Sequence, residues 1–216
     1  MLDSYLEHEK ERKELNIPPL PLNPDQTSEV CRWLENPPKG KEDFLFYLIG
    51  QRVSPGVDPA AKVKAEWLAK IAKGELGSPS ISKNKAVFLL GTMLGGYNVE
   101  PLIDLLDSDE LASEAAKALK NIILIYNAFD KIVDLAKTND EAQAVLRSWA
   151  DGEWFLSKPE FPENIALRVV KVEGEINTDD LSPAKYAWSR PDIPLHALSM
   201  GETRFPIGIE DIRQFR

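Results

Sequence analysis

The chain reads as short apolar stripes at helical spacing, separated by proline, glycine and aspartate. Residues 1–16 are charged and helix-favouring. The run IPPLPLNP, Ile17 to Pro24, must then be extended, because consecutive prolines lack amide donors and push their predecessors out of the α region. An amino-terminal helix tethered by a stiff connector is predicted. Asp25 is placed as the cap of the next helix, whose apolar positions Val30, Trp33 and Leu34 precede the stop NPPKG. Glu42 to Gly50 gives a short apolar helix. Asp58-Pro59 sets an N-cap followed by proline at the first helical position, and Val63, Trp67, Leu68 and Ile71 recur at three- to four-residue spacing until Gly74.

From Ser82 the spacing becomes more regular. SKNKAVFLLGTML supplies one helix (Ala86, Leu89, Leu90, Met93), GGYNVEPLIDLLDSD a turn and a second, and ELASEAAKALKNIILIY a third. In the third, Leu111, Ala115, Leu119, Ile122 and Tyr126 mark an apolar stripe. The succession NVEPLIDLLDSDELASEAAKALKNI resembles a HEAT-type repeat: proline starts the first helix, leucines fill it, and small alanines let the second pack closely. A last helix is predicted from about Asp140 to Ser157, with Val145, Leu146, Trp149 and Leu156 inward. SKPEFPEN breaks the pattern and sets the domain boundary. IALRVVKVEGEI, Ile165 to Ile176, is rich in branched residues and predicts a strand, with Leu167 and Val169 on one face and the adjacent Val169 and Val170 suggesting burial on both sides. The tail GETRFPIGIEDIRQFR predicts a loop and the start of a helix. One strand and a short helix cannot bury a sheet, so the second domain is expected to be incomplete.

Composition narrows the function. With 216 residues, 43% hydrophobic, the chain can bury one substantial core plus the start of another. A net charge of −9 argues against holding nucleic acid or anionic membrane by broad electrostatic attraction. The opening Met1-Leu2-Asp3-Ser4 has no apolar signal-peptide core, and no run approaches the roughly 18 apolar residues of a membrane span, so a cytoplasmic protein with no membrane partner is expected. The single cysteine, Cys31, excludes an intrachain disulfide and reads as a buried thiol. His8 reads as part of a solvated helix face, and His8 and His196 lack ligand spacing.

The chemistry concentrates in INTDDLSPAKYAWSRPDIPLHAL. Asn177, Thr178 and Asp179 suit a turn that satisfies backbone donors where a strand ends, and Asp180 and Ser182 fit the same structural role. The pair Asp179 and Asp180 lacks the further oxygens of a calcium loop. Arg190 sits in the proline-braced SRPDIP. Its planar guanidinium can present two parallel donors to a carboxylate ligand, or form a structural pair with Asp192 or with the Asp179/Asp180 turn.

GEINTDDLSPA is similar to the strand-turn signature G-x-I-x-T-D-x-[IL]-x-P-A that opens the mobile swivel domain of the aconitase superfamily. NTDDLSPAKYAWSRPDIPLHAL resembles the bacterial B-type branch, in which a helical HEAT-like domain precedes the swivel domain. NPPKGKEDFLFYLIGQRVSPGVD, LLGTMLGGYNVEPLID and SWADGEWFL extend the likeness over essentially the whole chain. The resemblance implies a mostly α fold: a HEAT-like antiparallel helical repeat domain over 1–157, a linker over 158–164, and the beginning of an α/β swivel domain over 165–216. It also implies a lyase that interconverts citrate and isocitrate through cis-aconitate, with many members hydrating 2-methyl-cis-aconitate as well. Such enzymes use a 4Fe-4S cluster held by three cysteines, a serine base and several arginines on the tricarboxylate. The resemblance assigns Arg190 to substrate binding and no residue here to catalysis or metal. The cluster cysteines, the catalytic serine and a Ser-Ser-Arg-Lys substrate loop have no counterpart in this sequence, so no cluster and no hydratase activity are expected of the isolated chain. The end at IRQFR, without a C-cap glycine, favours the amino-terminal portion of an enzyme over a stand-alone helical interaction module. A homodimer through the helical domain is the expected partner, with messenger RNA a minor alternative.

Overall fold

The computed structural model describes residues 2–167, 169, 171, 173–200 and 202, and it is mostly α. The chain divides into two compact units, one of Pro21–Pro159 and one drawn from Met1–Leu20 and Glu160–Arg216. The amino-terminal helix is grouped with the region after Glu160, not with the helices that follow it in sequence.

In the unit of Pro21–Pro159, α2 (Pro24–Glu35) starts at a reciprocal cap: Asn23 accepts the Gln26 N–H at 2.8 Å, and the Gln26 side chain accepts the Asn23 N–H at 3.0 Å. Asn23 therefore holds the capping position expected of Asp25. The reason is Pro24, whose fixed φ suits the first helical residue and moves the start one step earlier. α3 (Glu42–Gln51) buries Leu45, Leu48 and Ile49. α4 (Pro59–Ala72) begins as expected at Asp58, whose carboxylate accepts the Ala60 N–H at 2.8 Å, and it buries Trp67, Leu68 and Ile71 while Val63 is half-buried. α5 (Lys83–Gly91) is capped by Ser82. α6 (Val99–Asp104), α7 (Ala112–Lys120), α8 (Phe129–Leu135), α9 (Asp140–Ala150) and α10 (Glu153–Leu156) follow.

Packing runs serially, α2 on α3 and α4, α4 on α5, α5 on α7 and α7 on α9. The approach of α5 to α7 depends on Gly91, because a Cβ there would lie 2.9 Å from the Ala118 Cβ. Leu111, Ala115, Leu119 and Ile122 are buried as their spacing predicts. Tyr126 is not: it is 79% exposed, because α7 stops at Lys120 and a short 3-10 turn carries Tyr126 out of the helical register. The helix expected to run from Asp140 to Ser157 is likewise broken. Asp151-Gly152 interrupts it, Gly152 adopting φ 68°, and the change of direction leaves Leu156 exposed and Trp149 only half-buried.

In the other unit, α1 (Leu2–Glu14) turns Tyr5, His8 and Arg12 to one side, three to four residues apart. The proline connector folds back along that side. Its scarce amide donors are all used: Ile17 N–H reaches Arg12 O at 3.1 Å and Leu20 N–H reaches His8 Nε2 at 3.0 Å. His8 is thus half-buried and an acceptor, not a solvated side chain, since no other acceptor in the described structure is bonded to the Leu20 amide.

The strand expected over Ile165–Ile176 is absent among its described residues, which lie in no regular element, with Leu167 and Val169 about four-fifths exposed. A strand persists only when its amides pair with a neighbouring strand, and no described segment supplies one. The loop and helix expected in GETRFPIGIEDIRQFR fall, apart from Glu202, outside the described residues.

Candidate functional site

The stretch from Asn177 to Ser199 folds into three short turns held by polar side chains. The first is α11 (Thr178–Leu181). Asn177 Oδ1 accepts the N–H groups of Asp179 at 2.9 Å and Asp180 at 3.1 Å, and the Asp180 carboxylate accepts the Asn177 N–H at 3.1 Å. The expected turn is therefore the start of a helix, with Asp180 buried in its cap and Asp179 exposed. Among the described residues no group of three or more His, Cys, Asp or Glu is arranged to hold a metal ion.

His196 ties the turns together. Ser182 Oγ and Ser189 Oγ each lie 2.8 Å from its ring nitrogens, Nε2 and Nδ1. Ser189 donates its single hydroxyl proton to Tyr186 O at 2.8 Å, so Nδ1 carries the ring proton and donates to Ser189. Nε2 is then left to accept from Ser182. This relay joins the end of α11 to the 3-10 helix Ala184–Ser189 and to α12 (Ile193–His196).

Asp192 caps α12, its Oδ1 accepting the Leu195 N–H at 3.1 Å. Both of its oxygens also receive the fork of Arg12, Nη1 at 2.5 Å and Nη2 at 2.9 Å, while Arg12 Nε donates to Pro18 O at 2.8 Å. Arg12 is buried, and all of its nitrogens are bound. Its hydrogen bonds hold the Asp192 carboxyl below the usual carboxylate range, outweighing the opposing effect of burial.

Arg190 follows the 3-10 helix, its N–H bonded to Ala187 O at 3.2 Å, and its side chain is exposed. The structural pairing considered for it with Asp192 or with Asp179/Asp180 does not form: Asp192 is taken by Arg12, and Asp180 bonds back to its own cap. Among the described residues no side-chain hydrogen bond or ion pair reaches the Arg190 guanidinium. Sequence reasoning placed Arg190 and missed Arg12, which lies 180 residues from its partner and carries no local signal beyond its i+7 spacing from Tyr5.

An iron–sulfur cluster needs thiolate ligands. Cys31, the only cysteine, is buried in α2, and burial, reinforced by the charge of Glu35, pushes its thiol up to about 12. The residues here do not fit such a cluster.

A family model described as the Aconitate B N-terminal domain matches residues 4–155, and one described as the Aconitate hydratase 2 N-terminus matches residues 167–216. Aconitate hydratase B of Synechocystis sp. is 52% identical over 218 residues, covering 100% of this chain and 25% of that protein. The proteins of the same name from Pseudomonas aeruginosa and Escherichia coli are 56% and 53% identical over 201 residues, 93% of this chain and 23% of each relative. The chain spans about a quarter of the length of these curated relatives.

Proposed function

The chain belongs to the Aconitate B N-terminal domain family, and on that premise we propose that it forms the amino-terminal part of an aconitate hydratase interconverting citrate and isocitrate through cis-aconitate. 2-Methyl-cis-aconitate is proposed as a further substrate of that enzyme. Within it, residues 1–157 form a HEAT-like helical domain, 158–164 a linker and 165–216 the start of the swivel domain. The boundaries of the two family matches support this division. The 4Fe-4S cluster of the enzyme, which supplies Lewis-acid activation of the substrate hydroxyl, is held by residues outside this chain.

The part played here is binding. Arg190 presents a planar pair of donors to one carboxylate of the tricarboxylate, and the carrying observation is its exposed, unpaired guanidinium beside an Asp192 already neutralised by Arg12. A free Asp192 would compete with the substrate for Arg190. The clamp removes that competitor and fixes the backbone two residues away. In the complete enzyme, Arg190→Lys keeps the charge and loses the fork, so kcat/KM for citrate is expected to fall about 100-fold at unchanged iron content. Wild-type kinetics in that variant would remove the arginine assignment. Absence of cis-aconitate formation by the iron-reconstituted complete enzyme would remove the activity.

A second role is supported by the helical unit. Leu94, Ile123, Leu124 and Tyr126 are exposed on loops that adjoin, since a Cβ on Gly95 would lie 3.3 Å from the Leu124 Cβ. An apolar surface of this kind suits self-association. Sedimentation showing only monomer at micromolar concentrations and above would end the homodimer reading.

A further inference from the structure

The helical unit contains a cavity of about 410 Å³ bordered by the end of α3, the loop after it, α4 and α5. Lys64 of α4 lines it. This lysine is 3% exposed, and among the described residues no hydrogen bond or ion pair reaches its ammonium. Burial lowers Lys64 to about 8, so at neutral pH the group still carries its charge. A buried cation without a partner is costly, and an anion arriving beside it recovers part of that cost.

The rest of the wall says what kind of anion fits. No aspartate or glutamate lines the cavity, although the chain as a whole carries a net charge of −9. The half-buried Ser54 offers a hydroxyl with no bonded partner among the described residues. Val53, Leu89 and Met93 are buried and apolar. One cation, one hydroxyl donor and apolar walls match a single carboxylate on a short hydrocarbon chain. They do not match a tricarboxylate, which would bring two further charges with no cations to meet them.

We infer that this cavity is a binding site for short-chain monocarboxylates, with Lys64 and Ser54 holding the carboxylate and Val53, Leu89 and Met93 the alkyl chain. It is independent of the substrate role proposed for Arg190.

Butyrate is the probe, with chloride matching the ionic strength of the control. At about 20 mM it is expected to raise the melting temperature of the full chain by about 1–3 °C, with n-butylamine giving no rise. Lys64→Met, which keeps the stem volume, is expected to lose the response entirely. Ser54→Ala, a change at a loop hydroxyl that leaves the core intact, is expected to weaken butyrate binding about 3- to 10-fold. Arg190→Ala is expected to keep the full response. No rise with butyrate, an equal rise with butylamine, or an undiminished response in either folded cavity variant would overturn the assignment.

Discussion

The two units are held together by different forces. In Pro21–Pro159 the interior is apolar, with Leu34, Leu45, Leu68, Leu90, Leu102 and Leu119 fully buried. In the other unit, the hydrophobic residues buried among those described are Tyr5 and Ile17, and the buried polar ones are Arg12, Asp180, Ser189 and Ser199. Apolar burial is non-directional and spread over many contacts, so it tolerates local change at a graded cost. A polar network is directional: removing one member strands the desolvated group it served. The proposed ligand-facing arginine lies in the polar unit, where hydrogen bonds fix the orientation of short turns that contact area alone would not define.

The largest test of this contrast is Leu68→Ala in the helical core. It should cost about 3 kcal/mol through lost transfer energy and a residual cavity, read by denaturant unfolding, and a cost under about 1 kcal/mol would deny that burial dominates there. Arg12→Ala comes next, at about 2 kcal/mol, because it leaves Asp192 half-buried without its partner. Hydrogen exchange should then speed up over residues 189–196 and stay unchanged over α4 and α5. Acid should act in the same direction. Asp192 is held below its ordinary value of 3.8, so its contribution is complete above that value and is lost as the pH falls through the lower, folded one.

Asn177→Ala removes the cap of a single turn and should cost about 1 kcal/mol, with faster exchange at the Asp179 and Asp180 amides. The smallest effect belongs to the one charged exception in the apolar unit. Lys64 titrates at about 8 when folded against 10.5 when unfolded. The folded state therefore releases its proton first, and the penalty of burying the charge, complete below 8, fades as the pH rises toward 10.5. Wild type should gain on Lys64→Met by at most about 1 kcal/mol between about pH 7 and pH 9, and no relative gain would mean the amine is solvated.

Helix starts were largely legible from the sequence. Asp58-Pro59 and Ser82 act where their side chains predict, since a cap needs only the next two or three amides. The misplaced cap at Asp25 shows the limit of that legibility: two acceptable caps stood two residues apart, and the proline between them decided. Tyr126 and Leu156 were assigned inward because periodicity was carried past the helix ends. The Asp-Gly pair at 151–152 was a visible breaker for the second of these; nothing so plain marks the end of α7. Arg190 was singled out correctly as the arginine of interest in its stretch, but whether it was free or internally paired could not be read from SRPDIP.

The sequence by itself determined what acts within a few residues: the helical segments, their caps, the proline connector, and the acidic pair as a turn and not a cage. Their physical basis is local, so neighbours in the chain suffice to specify them. Only the tertiary structure decided which distant charges meet. Arg12 takes Asp192 from 180 residues away, leaving Arg190 unpaired, and Lys64 meets no carboxylate at all. Such pairings depend on where the fold carries each group and on how much water it removes around them, and no spacing along the chain encodes either.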